Sequence, residues 1–278
     1  MESKILSYVI SFFFILIILS LILIRNIILK KGETGKIEIG NAQTIGGREE
    51  QDDYFATCET KNGTMAVLAD GISGLANGRM ASMVAVTTFI EAFRAVGNFA
   101  NSQAFFKEAA VKSNQQIVQN LNGSNGGTTL VAVIIDEEGF LHWGAVGDSV
   151  ITIFRKGEFL AINEKHVFEN VLKQRYIAGE ISQLAMEENP LKKRLINYLG
   201  YEGFKHLDVG TKPIQLFQGD KVCLFSDGIY DALTEVELES LLSQQAAPYD
   251  IAQNIIRVIE KKQLKNQDNA TIVILEKV

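Results

Sequence analysis

Apolar positions along this chain fall into runs of three kinds, and each kind predicts a different element. Between residues 5 and 24, twenty consecutive positions carry no charge, and only three serines and one tyrosine interrupt the apolar side chains. An α-helix of that length crosses about 30 Å of hydrocarbon, so the run predicts a transmembrane helix. Shorter runs rich in β-branched and aromatic residues, each closed by a turn signal, predict strands over 64–69, 128–135, 150–154, 221–225 and 270–275, and a further apolar run covers 141–146. Met80, Met83, Val84, Thr87, Ile90 and Phe93 recur near helical spacing and predict a helix over 79–96; Phe105, Phe106, Ala109, Ile117 and Leu121 do the same over 102–121. Thr234-Glu235-Val236-Glu237 has the pattern of a capping box, which starts a third helix, and a fourth runs from 249 to about 262. Strands, a helix pair, strands, helices and a last strand follow one another in segregated blocks. That order predicts an α+β architecture of antiparallel sheets covered by helices, not alternating βαβ units. Residues 164–206, with Gly179, Pro190 and Gly200, break the rhythm and read as a partly helical excursion beside a site.

Composition divides the chain further. Residues 1–4 are a short N-terminus, 5–24 the membrane span, 25–38 a basic linker and 39–278 one globular domain of roughly 240 residues. A cleaved signal peptide has a shorter apolar stretch followed by small residues, whereas here Arg25, Asn26 and more apolar residues follow, so the run reads as an anchor. Arg25, Lys30 and Lys31 lie on one side of it and only Lys4, offset by Glu2, on the other, which places the large domain in the cytoplasm of a single-pass cell-membrane protein. A net charge of −6 with no basic stripe excludes a nucleic-acid binder, because such proteins need Lys and Arg to displace counterions from phosphates. Cys58 and Cys223 each sit in a strand-like apolar run and read as core thiols in a reducing compartment.

The acids carry the chemistry. Asp70-Gly71 and Asp227-Gly228 each follow an apolar run, Asp148 follows Gly147 after 141–146, and Asp268 precedes the last strand. Any one Asp-Gly alone reads as a turn, since Asp caps its own backbone and Gly accepts positive φ. Four acids at strand ends are a different matter: carboxylates brought together repel one another unless a cation neutralises them. An oxygen-only set without a His or Cys cluster suits Mg²⁺ or Mn²⁺ better than Zn²⁺. Arg48 by itself reads as a surface residue paired with Glu49 or Glu50.

In order along the chain stand Gly47-Arg48-Glu49-Glu50-Gln51-Asp52-Asp53-Tyr54-Phe55, Ala69-Asp70-Gly71-Ile72-Ser73-Gly74, Gly127-Thr128-Thr129, Val146-Gly147-Asp148-Ser149, Phe225-Ser226-Asp227-Gly228-Ile229-Tyr230-Asp231 and Gln267-Asp268-Asn269-Ala270-Thr271. This series, from about residue 36 to the C-terminus, resembles the ordered motifs of the metal-dependent protein phosphatases, the type 2C or PPM family, in their bacterial form. The resemblance implies an α-β-β-α sandwich, two antiparallel sheets each flanked by a helix pair. It implies that Asp70 bridges two metals, that Gly71 offers its carbonyl, that Asp227 and Asp268 hold the first metal, and that Asp53 with Asp52 supports the second. Asp148 and Asp231 match the acids of a third, weaker metal site, Arg48 matches the phosphate ligand, and residues 164–206 match the flap beside the cleft. The activity implied is hydrolysis of phosphoserine and phosphothreonine on proteins by a water that the two metals activate, opposing a Ser/Thr kinase, with no phosphoenzyme. In keeping with that, the sequence shows no Cys-x5-Arg signature and no Ser-His-Asp motif, and His142, His166 and His206 read as structural or surface residues. Three positions depart from the family pattern: Ile72 stands where many eukaryotic relatives have a His, Val150 where an Arg is common, and Asp52 where a longer Glu is common. A scaffold of the same fold that binds phosphoproteins at the membrane without turnover is the alternative; intact Asp70, Asp227 and Asp268 oppose it.

Overall fold

The computed structural model describes residues 15–21, 25, 36–72, 75–97, 101–205 and 207–278. It divides into a unit up to Lys36 and a unit Ile37–Val278, so the compact domain begins two residues before the expected 39. In the first unit residues 15–21 are helical. The rest of the expected 5–24 span, and most of the linker, lie outside the described residues. Among the described residues no helix is long and apolar enough to cross a membrane.

The second unit runs β1 (Ile37–Thr44), β2 (Tyr54–Thr60), β3 (Gly63–Ala69), α1 (Gly78–Ala95), α2 (Ser102–Leu121), β4 (Leu130–Ile135), β5 (Phe140–Val146), β6 (Val150–Arg155), β7 (Glu158–Ala161), α3 (Phe168–Ile177), α4 (Gln183–Glu187), β8 (Asp208–Val209), β9 (Ile214–Gln215), β10 (Lys221–Phe225), α5 (Asp227–Tyr230), α6 (Glu235–Leu242), α7 (Pro248–Lys262) and β11 (Ala270–Lys277). One sheet has the order β1-β11-β10-β6-β7 and the other β2-β3-β4-β5-β8, with β9 also on β5. Pairing is antiparallel throughout both sheets.

Period-two alternation explains why the central strands read as unbroken apolar runs. In β3 and β4, Met65, Val67, Leu130, Ala132 and Ile134 face α1 and α2, with Phe89, Phe93 and Ile117. Their neighbours Ala66, Leu68, Val131, Val133 and Ile135 face Ile151, Ile153, Val222, Leu224, Val273 and Leu275 of the other sheet. On that sheet's outer face Cys223, Phe225, Ile272 and Ile274 pack on Leu238, Leu242, Ile251, Ile255 and Ile259 of α6 and α7. Both faces of each central strand are therefore dry, and the expected α-β-β-α sandwich is what forms.

The expected strand 128–135 starts later, at Leu130, because Thr128 instead bridges Gly71 and Leu199. At α6 the capping box forms as expected: Thr234 Oγ1 accepts from the Glu237 main chain at 3.3 Å, and Glu237 Oε2 accepts from the Thr234 main chain at 2.8 Å.

Candidate active site

Strand register brings the predicted acids to one end of the sandwich. Tyr54 pairs with Ala69, so Asp53 and Asp70 are adjacent, and Leu130 pairs with Val146, which carries Asp148 to the same edge. In the other sheet Phe225 pairs with both Val150 and Ile272, which sets Asp227 beside the starts of β6 and β11. Asp70, Asp148, Asp227 and Asp268 then line one cavity of about 360 Å³, with Ile72, Leu75, Thr129, Lys193, Arg194, Leu195 and Tyr198.

Hydroxyls and close main-chain packing fix these turns. Asp70 donates its N–H to Thr129 Oγ1 at 3.1 Å, and Thr129 Oγ1 lies 2.7 Å from Ser149 Oγ, which ties the Asp70 and Asp148 turns together. Ser226 Oγ donates to Asp53 Oδ2 at 2.7 Å and accepts from Thr271 N at 3.0 Å. Gly228 packs so tightly on the turn before β11 that a Cβ there would sit 2.0 Å from Asn269 O, and one on Gly71 would sit 2.5 Å from the Gly78 carbonyl carbon. No side chain fits at either position.

Burial, reinforced by charge repulsion, sets the electrostatics of the cavity. Burial, then the charges of Asp53, Asp227, Asp148 and Asp268, push the Asp70 carboxyl well above the usual carboxylate range. Burial followed by Asp148 and Asp268 raises Asp227 to about 7, and burial raises Asp53 to about 6 against the Ser226 hydrogen bond. Asp148 is also raised, chiefly by burial, with the Lys165 ammonium pulling the other way. Asp53 Oδ1 is buried with no hydrogen-bond partner. Among the described residues no three His, Cys, Asp or Glu side chains already form an ion-holding group. The donors are nevertheless all oxygen, mutually repelling, and include an orphaned buried carboxylate oxygen. That set fits a hard divalent cation.

The remaining predicted residues stand at the margin. Arg48 donates from Nη2 to Asp268 Oδ2 at 2.5 Å, so it faces the acidic ring and does not pair with Glu49 or Glu50. Asp52 lies half-buried behind Gly71, whose N–H it accepts at its main-chain carbonyl at 3.2 Å. Asp231 is half-exposed and holds Lys193 Nζ at 2.9 and 3.1 Å.

Residues to which the sequence assigned no part in the chemistry surround the site. Asn269 accepts from Asp52 N at 2.7 Å and donates to the carbonyls of Ile45 and Glu50 at 2.9 and 3.0 Å, pinning the loop that carries Arg48; its place beside Asp268 was the available signal. Lys165 sits 3.2 Å from the centroid of the Tyr230 ring. His166 accepts at Nδ1 from Gly147 N (3.3 Å) and Asn197 Nδ2 (3.1 Å), leaving its proton on Nε2 for Asp208 at 2.8 Å. It clips the start of the 164–206 segment to the Asp148 turn, the structural role expected of it. His206 lies outside the described residues. The expectation of no Ser-His-Asp grouping needs correction: His142 Nδ1 lies 3.0 Å from Ser102 Oγ and its Nε2 2.9 Å from Asp136 Oδ2. This trio joins residues up to 40 apart in sequence, and it sits at the opposite end of β5 from Asp148, where it ties the β4–β5 hairpin to α2.

The sandwich, with an acidic ring at one end and an Arg on its rim, defines a hydrolase fold of the metal-dependent phosphatase class. The family model described as Protein phosphatase 2C matches residues 39–267, and the chain belongs to that family. It is 27% identical over 240 residues to the serine/threonine phosphatase Stp of Listeria welshimeri, covering 83% of this chain and 91% of that one. It is also 27% identical over 218 residues to the protein phosphatase PhpP of Streptococcus pneumoniae, covering 76% and 85%. Among solved structures, the S. agalactiae serine/threonine phosphatase superposes with a TM-score of 0.76 at 24% identity, covering 87% of this chain and all of that one (100%). The catalytic domain of the phosphatase PstP, solved with 2 manganese ions, gives a TM-score of 0.67 at 21% identity, covering 86% and 97%.

Proposed function

We propose that this chain hydrolyses phosphoserine and phosphothreonine esters on proteins, using two divalent cations, Mg²⁺ or Mn²⁺, held by the acidic ring. The observation that carries this reading is the convergence of Asp70, Asp148, Asp227 and Asp268 on one cavity, where burial and mutual repulsion hold three of the carboxyls above their usual range. Asp70, Asp227 and Asp268 would hold the first cation, and Asp70 with Asp53, Asp52 and the Gly71 carbonyl the second. Asp148 and Asp231 would take a third, weaker ion, for which Lys193 already competes at Asp231. Bound there, the cations supply Lewis acidity, lowering the pKa of water and neutralising phosphoryl oxygens.

The chain's own groups orient the substrate. Arg48, released from Asp268, offers a planar fork of donors to the phosphate. Tyr198, Leu195, Ile72 and Leu75 line the cavity beside the acids and give it an apolar side. A covalent route through sulfur is closed, because Cys58 and Cys223 are both buried and burial pushes the Cys223 thiol up to about 12. In this reading the attacking group is water, in line with the departing Ser or Thr oxygen; the Ser102–His142–Asp136 trio lies at the other end of β5 from Asp148.

Phosphate release from a phosphothreonine peptide by the purified chain tests this. Turnover with Mn²⁺ that disappears with EDTA and in Asp70→Asn is the expected result. Turnover that survives EDTA contradicts it, and phosphopeptide binding without turnover under any metal gives the scaffold reading instead.

The uncharged run over 5–24 and the flanking Arg25, Lys30 and Lys31 support a single membrane anchor with the enzyme on the cytoplasmic face, opposing a Ser/Thr kinase there. Recovery of the full chain in carbonate-washed membranes, with its C-terminus degraded by protease only after the cells are opened, is expected; recovery in the wash rejects the anchor.

A further inference from the structure

One wall of the acidic cavity comes from the 164–206 segment, through Lys193, Arg194, Leu195 and Tyr198. Main-chain bonds hold that wall in place: Phe168 N donates to Arg194 O at 2.9 Å, Glu169 N to Lys192 O at 2.8 Å and Ile196 N to His166 O at 2.9 Å, and Val167 bridges Leu195. Two cations are thus fixed at the rim by backbone, while their charged ends stay available. Lys193 meets Asp231 across an ion pair whose side chains are 76% and 50% exposed. A pair so exposed is weak and screened by salt, so Lys193 readily changes partner. Arg194 is exposed and makes no ion pair among the described residues. Both side chains border the cavity, within reach of the residues that would flank a phosphorylated Ser or Thr held there.

We propose that Lys193 and Arg194 select phosphopeptides carrying Asp or Glu beside the phosphorylated residue. The inference rests on the phosphatase reading and adds a side-chain preference to it. The chain's net charge of −6 opposes an acidic peptide, but that charge is spread over the whole molecule and is largely screened beyond about 8 Å at physiological salt. Contact charges at the rim therefore decide the preference. Lys193 exchanges the Asp231 carboxylate for the peptide's, and Arg194 gains a carboxylate partner that its fork accepts with two parallel hydrogen bonds. The acids deeper in the cavity do not decide the preference, because the divalent cations of the phosphatase reading would neutralise them.

The test compares two phosphothreonine peptides of equal length, one flanked by Glu on both sides and one by Gln, hydrolysed by the full chain with Mn²⁺ at low and high salt. The expected result is a roughly fivefold higher kcat/KM for the Glu peptide, residing in KM and vanishing at high salt. Lys193→Glu with Arg194→Glu inverts the preference toward a Lys-flanked peptide, and Lys193→Gln with Arg194→Gln abolishes it without reversal, which separates charge from misfolding. Turnover of the Gln peptide with no Glu preference, or a preference that persists at high salt or in the Gln variant, overturns the inference and leaves the phosphatase reading standing. Turnover of neither peptide overturns both.

Discussion

Burial and the charges of Asp148 and Asp268 push the Asp227 carboxyl up to about 7, from an ordinary value of 3.8. Between those two values the metal-free folded chain binds more protons than the unfolded one. The stabilisation tied to protonated Asp227 is therefore complete below the ordinary value and is lost as pH rises through about 7. In EDTA at pH ~8, Asp227→Asn removes a strained charge and should stabilise the fold on the order of 2 kcal/mol, roughly 5 °C in Tm, while abolishing turnover. Thermal melts of the two proteins decide this; an Asn variant that melts lower than its parent contradicts it. Asn269→Ala breaks three hydrogen bonds to the Arg48 loop and should cost about 2 kcal/mol and raise KM more than it lowers kcat; an unchanged KM removes Asn269 from substrate positioning. Asp70, Asp148, Asp227 and Asp268 were legible in the sequence because each adjoins an apolar run that could only be a buried strand. The different surroundings of Asp52 and Asp53 were not: Asp53 is buried and accepts from Ser226, 173 positions away, whereas Asp52 is only half-buried.

Local signals predict the elements well where one face is dry and poorly where neither is. α2 and β10 have their expected limits, because period-3.6 and β-branched runs there are bounded by Asn101 and Asn122 and by Asp220 and Ser226. β1 and β2 escaped because they are sheet edges, each paired on one side alone, and Glu38, Asn41, Gln43, Glu59 and Thr60 dilute their apolar pattern. The capping box at α6 was readable as a four-residue motif, and its effect is testable by itself. Thr234→Ala should cost about 1 kcal/mol in chemical denaturation and leave turnover unchanged, since the Thr234 hydroxyl hydrogen-bonds only Glu237; a neutral effect shows that α6 is held by packing on α7 alone. The 164–206 segment was legible only as an interruption. α3 buries only Leu172 and α4 buries nothing, so hydrophobic pattern carries no information about where Lys193 and Arg194 sit.

At the scale of the molecule, three apolar layers in one stack fix both sheets and leave one end of the sandwich to polar turns. The core that holds the strands apart from water also lowers the dielectric around their acidic ends, so the fold itself produces the repulsion that a cation relieves. No single acid reveals this; it follows from four strand termini meeting, which the antiparallel register enforces. The most direct measurement is anomalous diffraction at the manganese edge from crystals of this protein grown with Mn²⁺. Two peaks within the cavity, both in contact with Asp70 and one of them with Asp227 and Asp268, are the predicted result. An empty cavity with Arg48 still on Asp268, or peaks confined to surface carboxylates, would contradict the account at its centre.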